Sequence, residues 1–122
     1  MRATTLLVLL DTLLQAALAG MFVTGNLDLL AWHAANAEVL IALTFIQAVA
    51  ALLVWRLGRG PAWPTAAGAL LVVLVAAQQG LGEARILAGH MPLGMAVFGC
   101  ATALTCWAFA YRPAVAAPGV AE

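Results

Sequence analysis

Lysine is absent from the sequence, and charge of either sign is sparse: five arginines face five acids, and 8% of the residues are charged. No basic patch can be assembled from so few cations, which argues against nucleic acid as a partner. Cysteine is scarcer still. Cys100 and Cys106 share one apolar stretch six residues apart, about 120° from each other around a helix. They do not pair with each other and read as small packing residues. That argues against a quinone-linked thiol oxidoreductase, which needs cysteine pairs at the outer face. Histidine occurs twice, as His33 and His90.

What the sequence has instead is apolar length. Hydrophobic residues make up 66% of 122 positions, with a mean hydropathy of +1.06. A soluble domain of this size could not hide that surface. Four stretches stand out, at 3–24, 32–55, 62–82 and 90–111, each long enough to cross a hydrocarbon core of about 30 Å. Turn formers and most of the charge fall between them, in "GNLDLLA", "RLGRGP" and "EARILAG". The pattern predicts an all-α integral membrane protein, a four-helix bundle filling residues 1–112. Residues 113–122 read as a short disordered tail. A signal peptide is the competing reading of the N-terminus, because Arg2 and "ALAG" at 17–20 imitate its ends; Asp11 interrupts its apolar core, and the stretch runs on through "MFVTG".

With alternating helix direction, Arg2, Arg56, Arg59 and Arg112 fall at one end and Arg85 at the other. The positive-inside rule then predicts a plasma-membrane protein with both termini cytoplasmic. The starts of the second and fourth spans, and both histidines, face outward.

An internal repeat relates those histidines. Displaced by 57 positions, "GNLDLLAWH" (25–33) falls on "GEARILAGH" (82–90), with Gly25/Gly82, Leu30/Leu87, Ala31/Ala88 and His33/His90 identical. Each copy lies at the turn of a helical hairpin. Two hairpins of the same orientation, related by a pseudo-two-fold axis along the membrane normal, follow naturally. The imidazoles then oppose each other at one depth, where they can hold a metal or a haem iron from both sides. Ala37 and Gly94, one turn below each histidine, leave room for a flat ligand, and Ala101 continues the His90 face. The second ring nitrogen of each histidine is expected to donate to the carbonyl four residues back, that of Leu29 or Ile86. The plainer reading is two polar residues at headgroup level; their matched repeat positions weigh against it. Zinc is disfavoured, because it takes four ligands and Asp28 and Glu83 are the outer acids.

At "QQGLGEARILAGH" (78–90) the sequence resembles the heme A synthases, in which two fused four-helix bundles each carry a histidine at the outer ends of the second and fourth helices. The likeness covers the layout of all four spans and is specific around His33 and 78–94. The resemblance implies haem between His33 and His90. Two departures stand out: the chain is half the family's length, with one histidine pair, and Leu29 occupies the position of the family's catalytic glutamate, with Asp28 one residue off. The resemblance therefore supports haem binding better than haem oxidation.

The reading that results is a b-type cytochrome holding one haem (heme b) through His33 and His90, for electron transfer or haem handling. Arg85 is expected on a propionate, aided by the indole of Trp32 and by the N-termini of the second and fourth helices. Partners would be a quinone or another redox protein, and two copies pairing would resemble the full-length family. Met91 and Met95 are back-up ligands. Asp11 and Glu38, acids within spans, are candidates for a proton or quinone site; Gln15, Thr44, Gln47, Gln78 and Gln79 read as interhelical hydrogen-bonding groups. Two other classes stand beside this one. A small multidrug transporter would explain Asp11 but not the histidines, and an accessory subunit would use the small residues of "GMAVFGCATA".

Overall fold

The computed structural model describes residues 1–112; the expected tail at 113–122 lies outside them. Four α-helices follow one another: α1 Arg2–Val23, α2 Leu29–Arg56, α3 Trp63–Glu83 and α4 Leu87–Ala110. All four are long and apolar enough to span a bilayer, so the chain is a multi-pass membrane protein. The helices are packed in a ring, α1 on α2, α2 on α3, α3 on α4 and α4 on α1, while the diagonal pairs do not meet.

The helices are apolar all round, as expected of chains whose solvent is lipid. Large side chains such as Leu7, Leu14, Phe45, Val73 and Met95 point outward. Inside, Val8, Leu40, Leu71, Val75, Val97, Ala101 and Leu104 form one cluster, interleaved with buried Thr5, Thr12, Thr44, Gln47 and Thr105. Lipid gives apolar groups no reason to leave it, so packing and internal hydrogen bonds hold the helices together. The Thr105 hydroxyl, for example, donates to the Thr5 carbonyl of α1 at 3.0 Å. At Gly68 the α3 backbone comes so near α2 that a Cβ there would sit 3.2 Å from the Ala48 Cα.

The repeat extends into the packing. At the 57-residue displacement, buried Leu40, Thr44, Gln47 and Ala51 of α2 match buried Val97, Ala101, Leu104 and Ala108 of α4. In α1 and α3 the displacement is 63: buried Thr5, Val8 and Thr12 match Gly68, Leu71 and Val75. The second hairpin is shorter, and its turn is tightened by Arg85 at φ 57°. Both even helices begin three residues before the predicted spans, because i→i−3 turn bonds such as Leu29 N–H to Asn26 O and Gly89 N–H to Ile86 O lead straight into them.

The arginine-rich end is closed by Arg2, whose Nε donates to the Ala108 carbonyl at 3.0 Å and whose Nη2 donates to that of Tyr111 at 3.1 Å. These are the carbonyls that a helix C-terminus leaves without partners. Trp63, Trp107 and Tyr111 pack there with successive ring centroids 4.9 Å apart, an aromatic girdle of the kind found at membrane interfaces.

Candidate functional site

The opposite end holds the histidines. His33 is in the second turn of α2 and His90 in the first of α4. Although these helices are diagonal and do not touch, the two rings reach across the bundle until their centroids are 6.3 Å apart, with an interplanar angle of 65°. Phe22 closes over His33, edge on at 5.4 Å. Gly82 makes room for His90: a Cβ there would meet the ring Cε1 at 3.1 Å and Nδ1 at 3.2 Å.

Each ring is anchored through Nδ1. His33 Nδ1 is 3.1 Å from the Gln15 carbonyl of α1, and His90 Nδ1 is 2.9 Å from the Gln78 carbonyl of α3. A carbonyl oxygen only accepts, so both Nδ1 atoms carry the proton and both Nε2 atoms are left as acceptors, that of His33 with the Gln15 amide nitrogen 3.4 Å away. This corrects the expected anchor four residues back. The Ile86 carbonyl already receives the His90 backbone N–H at 2.9 Å, as the helix requires; the free acceptors come from the preceding helix of each hairpin.

Gln15 also grips α2 with its side chain. Its Nε2 donates to the His33 carbonyl at 3.0 Å and lies 3.4 Å from His33 Nε2. Its Oε1 accepts from Asn36 Nδ2 at 2.9 Å, and the same Asn36 nitrogen lies 3.5 Å from Asp11 Oδ2. At the equivalent positions of the second hairpin stand Leu74, Gln78 and Leu93. Gln78 lies over Gly94, where a Cβ would be 2.9 Å from its Nε2, and its buried Oε1 has no partner.

Two cavities flank the rings. One, of about 510 Å³, opens between α2 and α3; Ala37, Glu38, Gln79, Glu83 and Arg85 help to line it. The other, of about 520 Å³, opens between α1 and α4, with Gly94, Met91, Met95 and Phe98 in its wall. His33, His90, Gln15, Gln78 and Leu40 line both. Such volumes are those of small-molecule and cofactor pockets. The structure thus brings His33, His90, Ala37, Gly94 and Arg85 to one site. Trp32 is not brought there: it is 67% exposed and lines neither cavity. Ala101 is buried in the core below the site.

The donor set is chemically narrow. Among the described residues no three or more His, Cys, Asp or Glu side chains gather as a metal site, which leaves two imidazoles. Their spacing suits one ion between them: metal–nitrogen bonds of about 2.0–2.1 Å, with each nitrogen about 1.1 Å from its ring centroid, give about 6.3 Å between centroids. An ion held by only two protein ligands needs its remaining donors from elsewhere, as a macrocycle supplies them.

Gln15, Asn36, Phe22 and Gly82 were not evident as site residues. Gln15 is 18 positions from His33 whereas Gln78 is 12 from His90, so no single displacement reveals both clamps. No family model, curated protein or solved structure matches this chain.

Proposed function

We propose that the protein is a membrane b-type cytochrome that binds one haem between α2 and α4, with His33 and His90 as axial ligands. The observation that carries this reading is the opposed pair of imidazoles 6.3 Å apart, each fixed through Nδ1 by a backbone carbonyl so that Nε2 is the nitrogen left to serve as a ligand. Among the described residues the site offers two histidines and no cluster of three donors, a set that would hold a group bringing its remaining donors with it, as haem does. Bound there, it supplies one-electron exchange between ferric and ferrous iron.

The chain's residues orient and seal the group. Gly82 leaves room for the His90 ring, and Ala37 and Gly94 add no bulk below the rings, where the Gln78 amide lies over Gly94. That amide, unpartnered at its oxygen, is the side chain a planar ligand would displace. Arg85, at the mouth of the α2–α3 cavity, binds a propionate at the outer surface. The arginine bias supports a reading with both termini in the cytoplasm and the haem toward the outer leaflet of the plasma membrane. With His33 and His90 both taken up in holding the iron, as they would be, and with Leu29 where the resembled family has its catalytic acid, the role is electron transfer or haem carriage rather than haem oxidation. A quinone or a second redox protein is the exchange partner. Asp11 lines neither cavity, which weighs against the transporter reading.

An absorbance spectrum tests the proposal. Purified after expression with ample haem, the protein is expected to show a sharp Soret band and, on reduction, resolved α and β bands. His33→Ala and His90→Ala are each expected to give high-spin or empty protein. A colourless wild type that takes up no haem on titration refutes the reading, and a sulfur-to-iron band would move an axial role to Met91 or Met95.

A further inference from the structure

The two histidines are held unequally. On the His90 side the equivalent positions are apolar, Leu74 and Leu93; on the His33 side they are Asp11 and Asn36. Polar groups within a membrane bundle are costly unless they serve a purpose, and these are arranged in one direction. The His33 carbonyl can only accept, so Gln15 must present Nε2 to it. Gln15 Oε1 must then face Asn36, which must answer with Nδ2. The remaining N–H of Asn36 points to Asp11 Oδ2. Orientation imposed at the haem ligand is thus passed through two amides to a carboxylate one turn deeper in α1, where it acts as acceptor.

We propose that Asp11 takes up one proton when one electron is added at the His33–His90 centre, so that the protein carries proton and electron together. The inference rests on the cytochrome reading. The step balances: a one-electron donor reduces ferric to ferrous iron, and a proton from water converts the Asp11 carboxylate to the carboxylic acid. Losing one positive charge at the iron removes an attraction that favoured the ionised acid. At a separation on the order of 10 Å and an effective dielectric near 20, this is worth about tenfold in proton affinity. The amides do not relay the proton; they fix the carboxylate's distance and direction from the centre. Little else titrates around Asp11. On the helices packed against α1, the titratable groups are His33, exposed Glu38 and Arg56 of α2 and His90, Cys100 and Cys106 of α4; α1 itself carries Arg2 near its inner end. Helix α3 is diagonal to α1 and does not reach it.

Redox titration of the haem-loaded protein in lipid nanodiscs, over a series of pH values, tests this. Reduction raises proton affinity, so the wild-type midpoint is expected to fall as pH rises between two plateaus about 59 mV apart, the equivalent of tenfold for one electron. Asp11→Asn, neutral at every pH, is expected to hold the acid-plateau value throughout. Asp28→Asn, at an acid that lines neither cavity, is expected to keep the wild-type profile. A slope that survives in Asp11→Asn, or that vanishes in Asp28→Asn, overturns the proposal. Should Asp11→Asn fail to assemble, the redox-difference infrared spectrum of Asp28→Asn labelled with carboxyl-carbon-13 aspartate, whose sole aspartate is Asp11, gives the same answer: a protonated-carboxyl C=O band that appears on reduction and shifts with the label supports it, and no such band refutes it. A colourless wild type refutes the cytochrome reading and this proposal with it, whereas a haem protein whose midpoint ignores Asp11 refutes the proposal alone.

Discussion

Replacing Gly82 by alanine puts a methyl group against the His90 ring, 3.1 Å from Cε1 and 3.2 Å from Nδ1. Those distances are a few tenths of an ångström too short, and the ring has little freedom to give. Its Nδ1 is anchored to the Gln78 carbonyl at 2.9 Å, so a retreat from residue 82 stretches that bond or tilts Nε2 away from His33. Losing the net worth of one such hydrogen bond, about 0.5–1.5 kcal/mol, corresponds to roughly two- to tenfold weaker haem binding. Gly80 provides the control. It lies two residues earlier in α3 with nothing within 4 Å of its virtual Cβ, so Gly80→Ala carries a similar change in helix propensity, at most about 1 kcal/mol, without the contact. Haem transfer to an apo-protein acceptor, followed at the Soret band, compares the two. Gly82→Ala is expected to lose haem several-fold faster than Gly80→Ala while folding to the same helix content. Equal retention would show that the position of the His90 ring does not govern binding.

Arg85→Ala is expected to weaken haem retention or shift the midpoint potential; if both are unchanged, Arg85 has no part in the site. Gly68→Val overfills the α2–α3 crossing against the Ala48 backbone and is expected to destabilise the bundle by about 1–3 kcal/mol, read by thermal unfolding in detergent; stability equal to wild type would contradict the close approach. Incubated with haem b or haem o, a reductant and oxygen, the protein is expected to return the haem unmodified by mass analysis. Hydroxylated or formylated product would instead make it an enzyme, with Asp28 or Glu38 as the acid.

Four spans, their alternating direction and the pairing of the histidines were legible because each depends on local composition or on one fixed displacement. The clamps were not. Gln15 and His33 are joined across a five-residue connection, Gln78 and His90 across three, and α1 runs on further past Gln15 than α3 does past Gln78; together these shift odd helices against even ones. Trp32 lies apart from the cavities, 67% exposed, because consecutive residues in a helix do not share a face and its neighbour His33 is the one that lines them. The expected His90 anchor at Ile86 overlooked a carbonyl that its own helix had already engaged.

The Arg2 clamp on the last carbonyls of α4 brings the first and last helical residues together and makes the bundle circular. In a circle of two near-equivalent hairpins, the order in which the halves are synthesised carries no structural meaning. A circular permutant, opened at the Arg59 turn and joined from the end of α4 to the start of α1, would run α3–α4–α1–α2. His90 would then stand on its second helix and His33 on its fourth, in an unchanged ring. At the histidine clamps the permutation would exchange only labels, except at Asp11 and Asn36. These would move into the second half, and they mark which hairpin is which.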